Sequence, residues 1–369
     1  MENQEHILDW LQLINSENVG PVTFYKLLEM YKDAGRALEA LPNFKKYKVF
    51  PRSLARRELE LAAAKNIKII TKESPYYPEN LKHIEDAPPV LYVKGRLETL
   101  QNPLSLSIVG ARNASVNGRK TASKIAYDLT NCGICIVSGM ARGIDSAAHK
   151  GAMYARGQQG ETIAVLGTGA DIIYPSENKQ LYEQIAAQGA VISELPLGIE
   201  AQAGNFPRRN RIVAALSLGT LVVEATLHSG SLITARLALE QGKDIFAIPG
   251  SPQDARALGP NKLIKDGAVL AENADDILAV LTGNNQKQIT QYVDNCKKNA
   301  DIPKLLNEPS PPAGEKTDIT DYLNHSGVYV DEIIRQSGLS ASEVSLLLLE
   351  LELSGKIERQ AGNKVALIK

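Results

Sequence analysis

The sequence contains few cysteines, few aromatic residues and no long apolar run. Its three cysteines, an odd number in 369 residues, are typical of a protein kept in a reducing compartment rather than held together by disulfides. No apolar run approaches the roughly 18 residues that a membrane-spanning helix requires. The acidic, polar N-terminus does not lead into an apolar segment, so we expect no signal peptide. Together these absences predict a cytoplasmic protein that does not enter a membrane.

The sequence also lacks an excess of charge of either sign. Its 41 Lys and Arg residues are balanced by 42 Asp and Glu residues, so the net charge is −1. A protein that attracts a polyanion through its overall charge would be basic. If this chain binds a polyanion, it must do so through a local patch. Its length, with 44% hydrophobic residues, predicts two or three globular domains.

The common motifs for metals, cofactors and nucleophilic catalysis are missing. Cys132 and Cys135 form a C-x-x-C, but a zinc site normally needs a second pair of ligands. Gly133 between them is typical of a helix end, which favours packing over a redox pair. A P-loop is absent, and no G-x-G-x-x-G follows the first strand of the predicted sheet. These absences argue against ATP and NAD, and we expect neither a metal nor a cofactor.

Four regions with different residue patterns follow one another along the chain. Residues 1–66 read as helices around Val19-Gly20-Pro21, a turn typical of a SAM-like or helix-hairpin-helix domain, although a small packing bundle fits equally well. Residues 67–282 alternate short β-branched runs with helical segments, which predicts an α/β core: a Rossmann-like, doubly wound parallel sheet. The polar, proline-containing residues 283–316 predict a linker. Residues 317–369 predict a winged helix.

The winged-helix prediction depends on local signals. Gly338 separates two helical stretches, Ser340 with Glu343 forms a capping box for the second, and two short strands flank Ala361-Gly362-Asn363. From residue 316 to the end, six basic residues stand against eight acidic ones. Because a domain that reads DNA should be basic, we expect this domain to contact protein.

A basic run without an acidic residue lies in the N-terminal region. Such a run either extends a track for phosphates or forms a solvated face, and both interpretations stay open. Its members are Lys45, Lys46, Lys48, Arg52, Arg56 and Arg57.

Small residues and arginines follow the strands of the predicted sheet. Ala111-Arg112 comes after one strand, and Met140-Ala141-Arg142-Gly143 comes after the next. In a doubly wound sheet, ligands bind beyond the carboxyl ends of the strands, where helix N-termini also attract phosphate. We therefore expect a phosphate-rich ligand at this edge, with Arg112, Arg142, Arg209 and Arg211 converging on it.

The segment FPRRNRI, residues 206–212, is the most informative part of the sequence. Arginine offers a planar fork of donors that matches phosphate. An aromatic side chain beside it gives an unpaired base a face for stacking. The alternative is a solvated loop whose arginines pair with nearby carboxylates.

Several acidic residues and one histidine are candidates for chemistry. Asp145 and His149 are four residues apart and share one helix face. They form either an acid–base or metal-binding pair or a support for the loop at the helix start. Glu194 and Glu224 end strands, where they act either as general acid and base on a nucleotide or as partners that hold the arginines.

Taken together and in order, these motifs closely resemble the DNA-processing protein A family (DprA, also Smf). The resemblance is strong over residues 70–280 and weaker toward both ends. It rests on IVGAR, SGMARGID with AAH, TIAVLGTG with YP, ISELP, FPRRNRI, VVEA, SGSLITA and FAIPG.

The resemblance implies a Rossmann-like core that binds single-stranded DNA without cutting it. It further implies protection of incoming strands during natural transformation, help in loading the RecA recombinase, and a homodimer formed through the core. Ala111 departs from the family, which commonly has serine there, but the backbone N–H groups remain. The implied DNA-binding residues are Gly110, Arg112, Ser138, Gly139, Arg142, Gly143, Phe206, Arg209, Asn210, Arg211, Ser229, Gly230, Ser231 and Lys262.

Two other function classes compete with this expectation. One is a phosphoribohydrolase, an enzyme on a related fold that cleaves nucleotide N-glycosidic bonds. Its PGG-x-GT loop is absent, and PGSPQD at 249–254 does not reproduce it. The other is an interaction module that works through the acidic winged helix. We therefore expect a single-stranded DNA-binding protein that is not an enzyme.

Overall fold

The computed structural model describes residues 4–158, 160–284, 319–323, 327–337, 339–360 and 362–368. It contains an N-terminal helical domain, a mostly parallel nine-stranded sheet with helices on both faces, and a C-terminal winged helix. The predicted fold class is therefore confirmed. None of the helices in these ranges is long and apolar enough to cross a membrane.

The N-terminal domain is built from four helices around an aromatic core. Trp10 and Phe24 are buried with ring centroids 4.9 Å apart. Pro21 starts the second helix, where its missing N–H leaves no internal hydrogen bond unmade. The helices are α1 (Gln4–Ile14), α2 (Pro21–Tyr31), α3 (Ala34–Ala40) and α4 (Arg52–Ala64).

The central sheet has the order β1-β2-β6-β5-β4-β3-β7-β8-β9. The seven strands β6, β5, β4, β3, β7, β8 and β9 all pair in parallel with their neighbours. At one edge of the sheet, β2 pairs antiparallel with β6 and with β1, which the sequence pattern did not predict. The strands are β1 (Ile67–Thr71), β2 (Val90–Gly95), β3 (Ser105–Val109), β4 (Cys135–Ser138), β5 (Thr162–Val165), β6 (Ala190–Ser193), β7 (Gly219–Val222), β8 (Asp244–Ala247) and β9 (Val269–Leu270).

Helices cover both faces of this sheet, as its fully apolar strands require. One apolar cluster joins α6, α7 and α12 to the sheet, and another joins α9 and α10 to the opposite face. The helices are α5 (Glu79–Lys82), α6 (Val116–Asn131), α7 (Ile144–Gln158), α8 (Lys179–Gln188), α9 (Asn205–Leu216), α10 (Gly230–Glu240), α11 (Leu258–Lys265) and α12 (Ala274–Asn284).

The order in which strands are added to the sheet reverses between β3 and β7, which are parallel neighbours. Strands β3 to β6 extend the sheet one way, and β7 to β9 extend it the other way from β3. In doubly wound sheets, the crevice beyond the carboxyl ends at such a reversal is where ligands bind. The loops after β3, β4, β5 and β7 therefore define the candidate site.

The C-terminal region forms the predicted winged helix. It comprises β10 (Val328–Tyr329), α13 (Val330–Ser337), α14 (Ala341–Leu353), β11 (Ile357–Gln360) and β12 (Lys364–Leu367). The Ser340–Glu343 capping box is present. Lys120 of α6 pairs with Glu332 at 2.8 Å and so joins this domain to the core. Gly338 and most of the predicted linker lie outside the described residues.

Cys132 and Cys135 occupy the positions that the packing interpretation predicts. Cys132 directly follows the end of α6, and Cys135 starts β4. Cys135 is buried among apolar residues of the sheet, and this burial raises the pKa of its thiol. A buried neutral thiol is inert, so Cys135 fits a packing role.

Candidate nucleic-acid interface

Glycines bring the loops after β3 and β4 into direct contact. A side chain on Gly110 would lie 2.5 Å from Cγ1 of Ile144. Gly143 has a φ of +75°, and a side chain there would overlap the carbonyl oxygen of Ala111. The amide of Ile144 donates to the same oxygen at 3.2 Å. Gly110 and Gly143, both predicted as site residues, thus shape the floor of the crevice by close packing.

The FPRRNRI segment lies in the first turns of helix α9 and not in a loop, so that part of the alternative is wrong. Its other part is confirmed for Arg208 and Arg211, which pair with nearby carboxylates. Pro207 lies in the first turn of the helix, where proline is tolerated. The residues after the segment, from Val213 to Leu216, are buried against the sheet. That packing draws the first turns of α9 toward the strand ends. Its arginines consequently lie at different depths.

Arg209 is buried, with only 7% of its surface exposed. Its Nη1 donates to the carbonyl oxygen of Gly139 at 2.6 Å and to that of Val165. Burial lowers the pKa of its guanidinium to about 10, and Asp145 opposes this shift. Arg209 therefore ties the ends of β4 and β5 together from inside. Its predicted contact with DNA stays a prediction.

Asp145 and His149 have separate roles beside the loop after β4. The carboxylate of Asp145 accepts from the amides of Gly139 at 3.2 Å and Ala141 at 3.3 Å. Nδ1 of His149 lies 2.8 Å from Oγ1 of Thr162, and burial lowers the His149 pKa to about 3. A fully buried histidine with this pKa is neutral at pH 7 and has no access to a substrate. The supporting role is thus confirmed for Asp145, whereas His149 contacts the start of β5 and not the loop, and the two do not form an acid–base pair.

Glu194 holds two arginines of α9, as one of its two interpretations predicted. Its carboxylate pairs with Nη2 of Arg211 and, at 3.4 Å, with Nε of Arg208. Arg211 also pairs with Asp86 at 3.1 Å. Burial raises the pKa of Glu194, and Arg211 opposes this rise. Because two carboxylates occupy the Arg211 fork, little of it is left for an external phosphate.

Glu224 holds Ser115, the N-cap residue of α6, instead of an arginine. It accepts from the backbone N of Ser115 at 2.8 Å and from its Oγ at 2.5 Å. Gly118 leaves the space that the carboxylate fills, since a side chain there would overlap it. An acidic group at a helix start is stabilising. The carboxylate therefore occupies the helix end where a phosphate would otherwise bind.

The accessible part of the site is an aromatic–arginine cluster formed by Arg112, Tyr174 and Phe206. The guanidinium of Arg112 lies 5.3 Å from the ring centroid of Phe206, within cation–π range. The Tyr174 ring lies 5.4 Å from Phe206 on a tilted plane. Arg112 and Tyr174 are exposed, and Phe206 is half-buried. Tyr174 was not among the predicted site residues, although its YP motif was recognised after TIAVLGTG.

The remaining predicted residues divide between the interior and the surface. Ser138 is buried and donates to the carbonyl oxygen of Ile108 at 2.6 Å. Oδ1 of Asn210 accepts from Nε of Arg209, and its Nδ2 donates to the carbonyl oxygen of Gly230 at 3.4 Å. Ser231, in the first turn of α10, is also buried. The surface group comprises Arg142, which pairs with Glu177, the half-buried Ser229 and exposed Gly230 at the start of α10, and the exposed Lys262 of α11.

Sequence profiles of one family cover the three structural parts. The profile described as DNA recombination-mediator protein A matches residues 68–282. A DprA winged-helix profile matches residues 304–363, and a DprA-like N-terminal helix-hairpin-helix profile matches residues 4–61.

Relatives match the chain over most of its length. Protein Smf from Synechocystis sp. is 35% identical over 98% of this chain and 98% of its own. Protein Smf from Escherichia coli is 37% identical over 86% of this chain and 82% of its own. The DNA processing protein DprA from Streptococcus pneumoniae is 45% identical over 55% of this chain and 70% of its own.

Two solved structures resemble the fold described above. DprA from Streptococcus pneumoniae superposes with a TM-score of 0.63 and 33% identity, covering 76% of this chain and 98% of that chain. DNA processing protein A from Helicobacter pylori superposes with a TM-score of 0.52 and 31% identity, covering 59% of this chain and 97% of that chain. That structure concerns the single-stranded DNA binding mode of the Helicobacter pylori protein. The chain belongs to the DNA recombination-mediator protein A family, the DprA and Smf proteins, and it has a role in DNA processing and recombination.

Proposed function

We propose that this chain binds single-stranded DNA at the carboxyl edge of β3, β4, β5 and β7. The observation that carries the proposal is the aromatic–arginine cluster, in which Arg112 lies 5.3 Å from the centroid of the half-buried Phe206 ring. A stacking surface beside an exposed cation suits a strand whose bases are unpaired. The single-stranded DNA binding of the Helicobacter pylori relative supports the same assignment.

The arginines of the site have different roles in this proposal. Arg112 is exposed and attracts the backbone, whereas Arg209 and Arg211 hold the loops and α9 in place from inside. Arg142 is exposed but pairs with Glu177, so a phosphate would have to replace that carboxylate. Phosphate contacts position a strand but do not read its sequence, so sequence preference should be weak. Duplex DNA should bind less well, because its bases are already stacked on one another.

In the cell, we propose that the protein protects incoming single strands and helps to load RecA during natural transformation and recombination. It would act in the cytoplasm as a homodimer formed through the core, with neither metal nor cofactor. We further propose that it is not an enzyme. In support, the carboxylates of Glu194 and Glu224 are engaged inside the protein, by arginines and by Ser115.

A titration of labelled oligo-dT at two salt concentrations tests the proposal. Phe206→Ala and Arg112→Ala should each weaken binding, and binding by the native protein should fall steeply with salt through counterion release. Arg36→Ala is the matched control, because Arg36 is an exposed arginine of the N-terminal domain that pairs with Asp33. The proposal fails if both site variants bind like the native protein, or if the protein releases free base from nucleotides.

A further inference from the structure

The basic run of the N-terminal domain divides into two parts in the structure. Arg52 at the start of α4 pairs with Glu5 at 2.5 Å and with Asp9 at 2.6 Å. Arg56 lies 3.6 Å from the same Glu5. These arginines thus stabilise the contact between α1 and α4, and their charge is largely neutralised. The lysines of the run lie elsewhere, in the segment before α4.

We define the lysine–aromatic loop as residues Phe44 to Lys48. Its three lysines are exposed, and no ion pair involves them within the ranges that the structure describes. Phe44 exposes 40% of its surface and meets the Tyr47 ring edge-on, with centroids 6.2 Å apart. Nζ of Lys46 lies 4.7 Å from the Tyr47 centroid. An exposed ring thus lies among three unpaired positive charges.

The turn after α1 holds the lysine–aromatic loop in one conformation. The amide of Glu17 donates to the carbonyl oxygen of Lys48 at 2.9 Å, and Nδ2 of Asn18 donates to that of Lys46 at 2.8 Å. Tyr47 packs against the apolar core of the domain. The exposure of Phe44 is therefore imposed by a fixed backbone. A surface that is already ordered loses less entropy on binding.

We propose that the lysine–aromatic loop is a second binding site for single-stranded DNA, separate from the aromatic–arginine cluster. The inference extends the proposed function. The lysines would contact the phosphates, and the exposed face of Phe44 would stack on a base. The stacking requires an unpaired base, which favours a single strand over a duplex. Lysines without acidic partners favour a polyanion over a protein surface of mixed charge.

The structure connects this loop to the loops of the core site. Helix α4 starts shortly after Lys48, and its 13 residues span about 20 Å along the axis. Just beyond its end, Lys65 pairs at 2.6 Å with Asp171 in the segment after β5. Glu58 of the same helix accepts from the amide of Leu197, in the segment after β6, at 3.3 Å. A long strand therefore has two fixed sites to contact, whereas a short one occupies a single site.

Oligo-dT of two lengths tests the second site in the full chain. The short one stays within the roughly 4–16 nucleotides that one binding fold covers, and the long one is several times that length. Replacing Lys45, Lys46 and Lys48 together with alanine should lower the salt slope for the long strand by about 2, at roughly 0.7 per phosphate contact. Phe44→Ala should weaken the long strand about fivefold or more. Neither change should alter binding of the short strand at the aromatic–arginine cluster.

Matched variants make the outcomes decisive. The control replaces three exposed lysines elsewhere, Lys68, Lys150 and Lys356, with alanine, and thermal unfolding checks that every variant folds. The inference is overturned if both loop variants bind the long strand like the native protein. It is also overturned if the triple lysine variant loses equal affinity for duplex and single-stranded DNA while Phe44→Ala has no effect. If Phe206→Ala has no effect while the loop variants do, the core proposal fails and the second site stands.

Discussion

Nη1 of Arg209 donates to the carbonyl oxygen of Gly139 at 2.6 Å and so lies inside the crevice wall. The guanidinium occupies the space into which a Cβ at position 139 would project, so only glycine fits there. The amide of Gly139 is bonded in turn to Asp145. One buried arginine thus fixes the backbone on which the exposed site is built, and this relationship leads to the first prediction.

Arg209→Ala should lower the free energy of unfolding by about 3–5 kcal/mol, because it leaves two buried strand-end carbonyls without their donor and removes the positive charge that favours the buried Asp145 carboxylate. Urea denaturation measures this loss. Arg112→Ala, which removes an exposed arginine, should change stability by less than about 0.5 kcal/mol. If Arg209→Ala is fully stable and yet loses DNA binding, then Arg209 contacts DNA directly.

Gly143→Ala should destabilise the protein by about 1–3 kcal/mol, because Gly143 has a φ of +75° and its new Cβ would overlap the loop after β3. Gly230→Ala is the matched control, since a side chain there meets no atom within 4 Å. Thermal unfolding compares the two variants. Equal stability of the two would show that the loops after β3 and β4 separate readily.

Tyr174→Ala should weaken oligo-dT binding about fivefold or more, because the ring next to Phe206 extends the stacking surface. Tyr174→Phe keeps the ring and should bind like the native protein. Fluorescence anisotropy with a labelled oligonucleotide measures both. Equal weakening by the two variants would assign the effect to the hydroxyl group and not to stacking.

His149 should make stability depend on pH below about 6.5, its unfolded pKa. The folded pKa is lowered to about 3, so only the unfolded chain takes up the proton between these values. The contribution of His149 is complete above pH 6.5 and is lost as the pH falls toward 3. Between pH 7 and pH 5 the loss is about 2 kcal/mol. His149→Gln should reduce the pH dependence of urea denaturation by that amount, and an unchanged dependence would contradict the assignment.

The sequence was sufficient to predict most of the regular structure. Runs of β-branched residues such as those before Gly110 and Gly139 predicted buried parallel strands, because strands covered on both faces must be apolar throughout. The capping box of Ser340 and Glu343 predicted the start of α14, because a cap depends only on residues close in sequence. The antiparallel pairing of β1 with β2 was missed, because strand pairing depends on contacts between distant residues.

What the sequence alone determined was the set of side chains gathered at the strand ends, because the end of each strand is encoded locally. Only the tertiary structure decided their depth. Arg112 and Arg209 are the same residue type, yet one is exposed beside Phe206 and the other is buried against Gly139. Tyr174 joined the site for the same reason. The depth of a side chain is set by packing between elements far apart in the chain, and no local pattern records that packing.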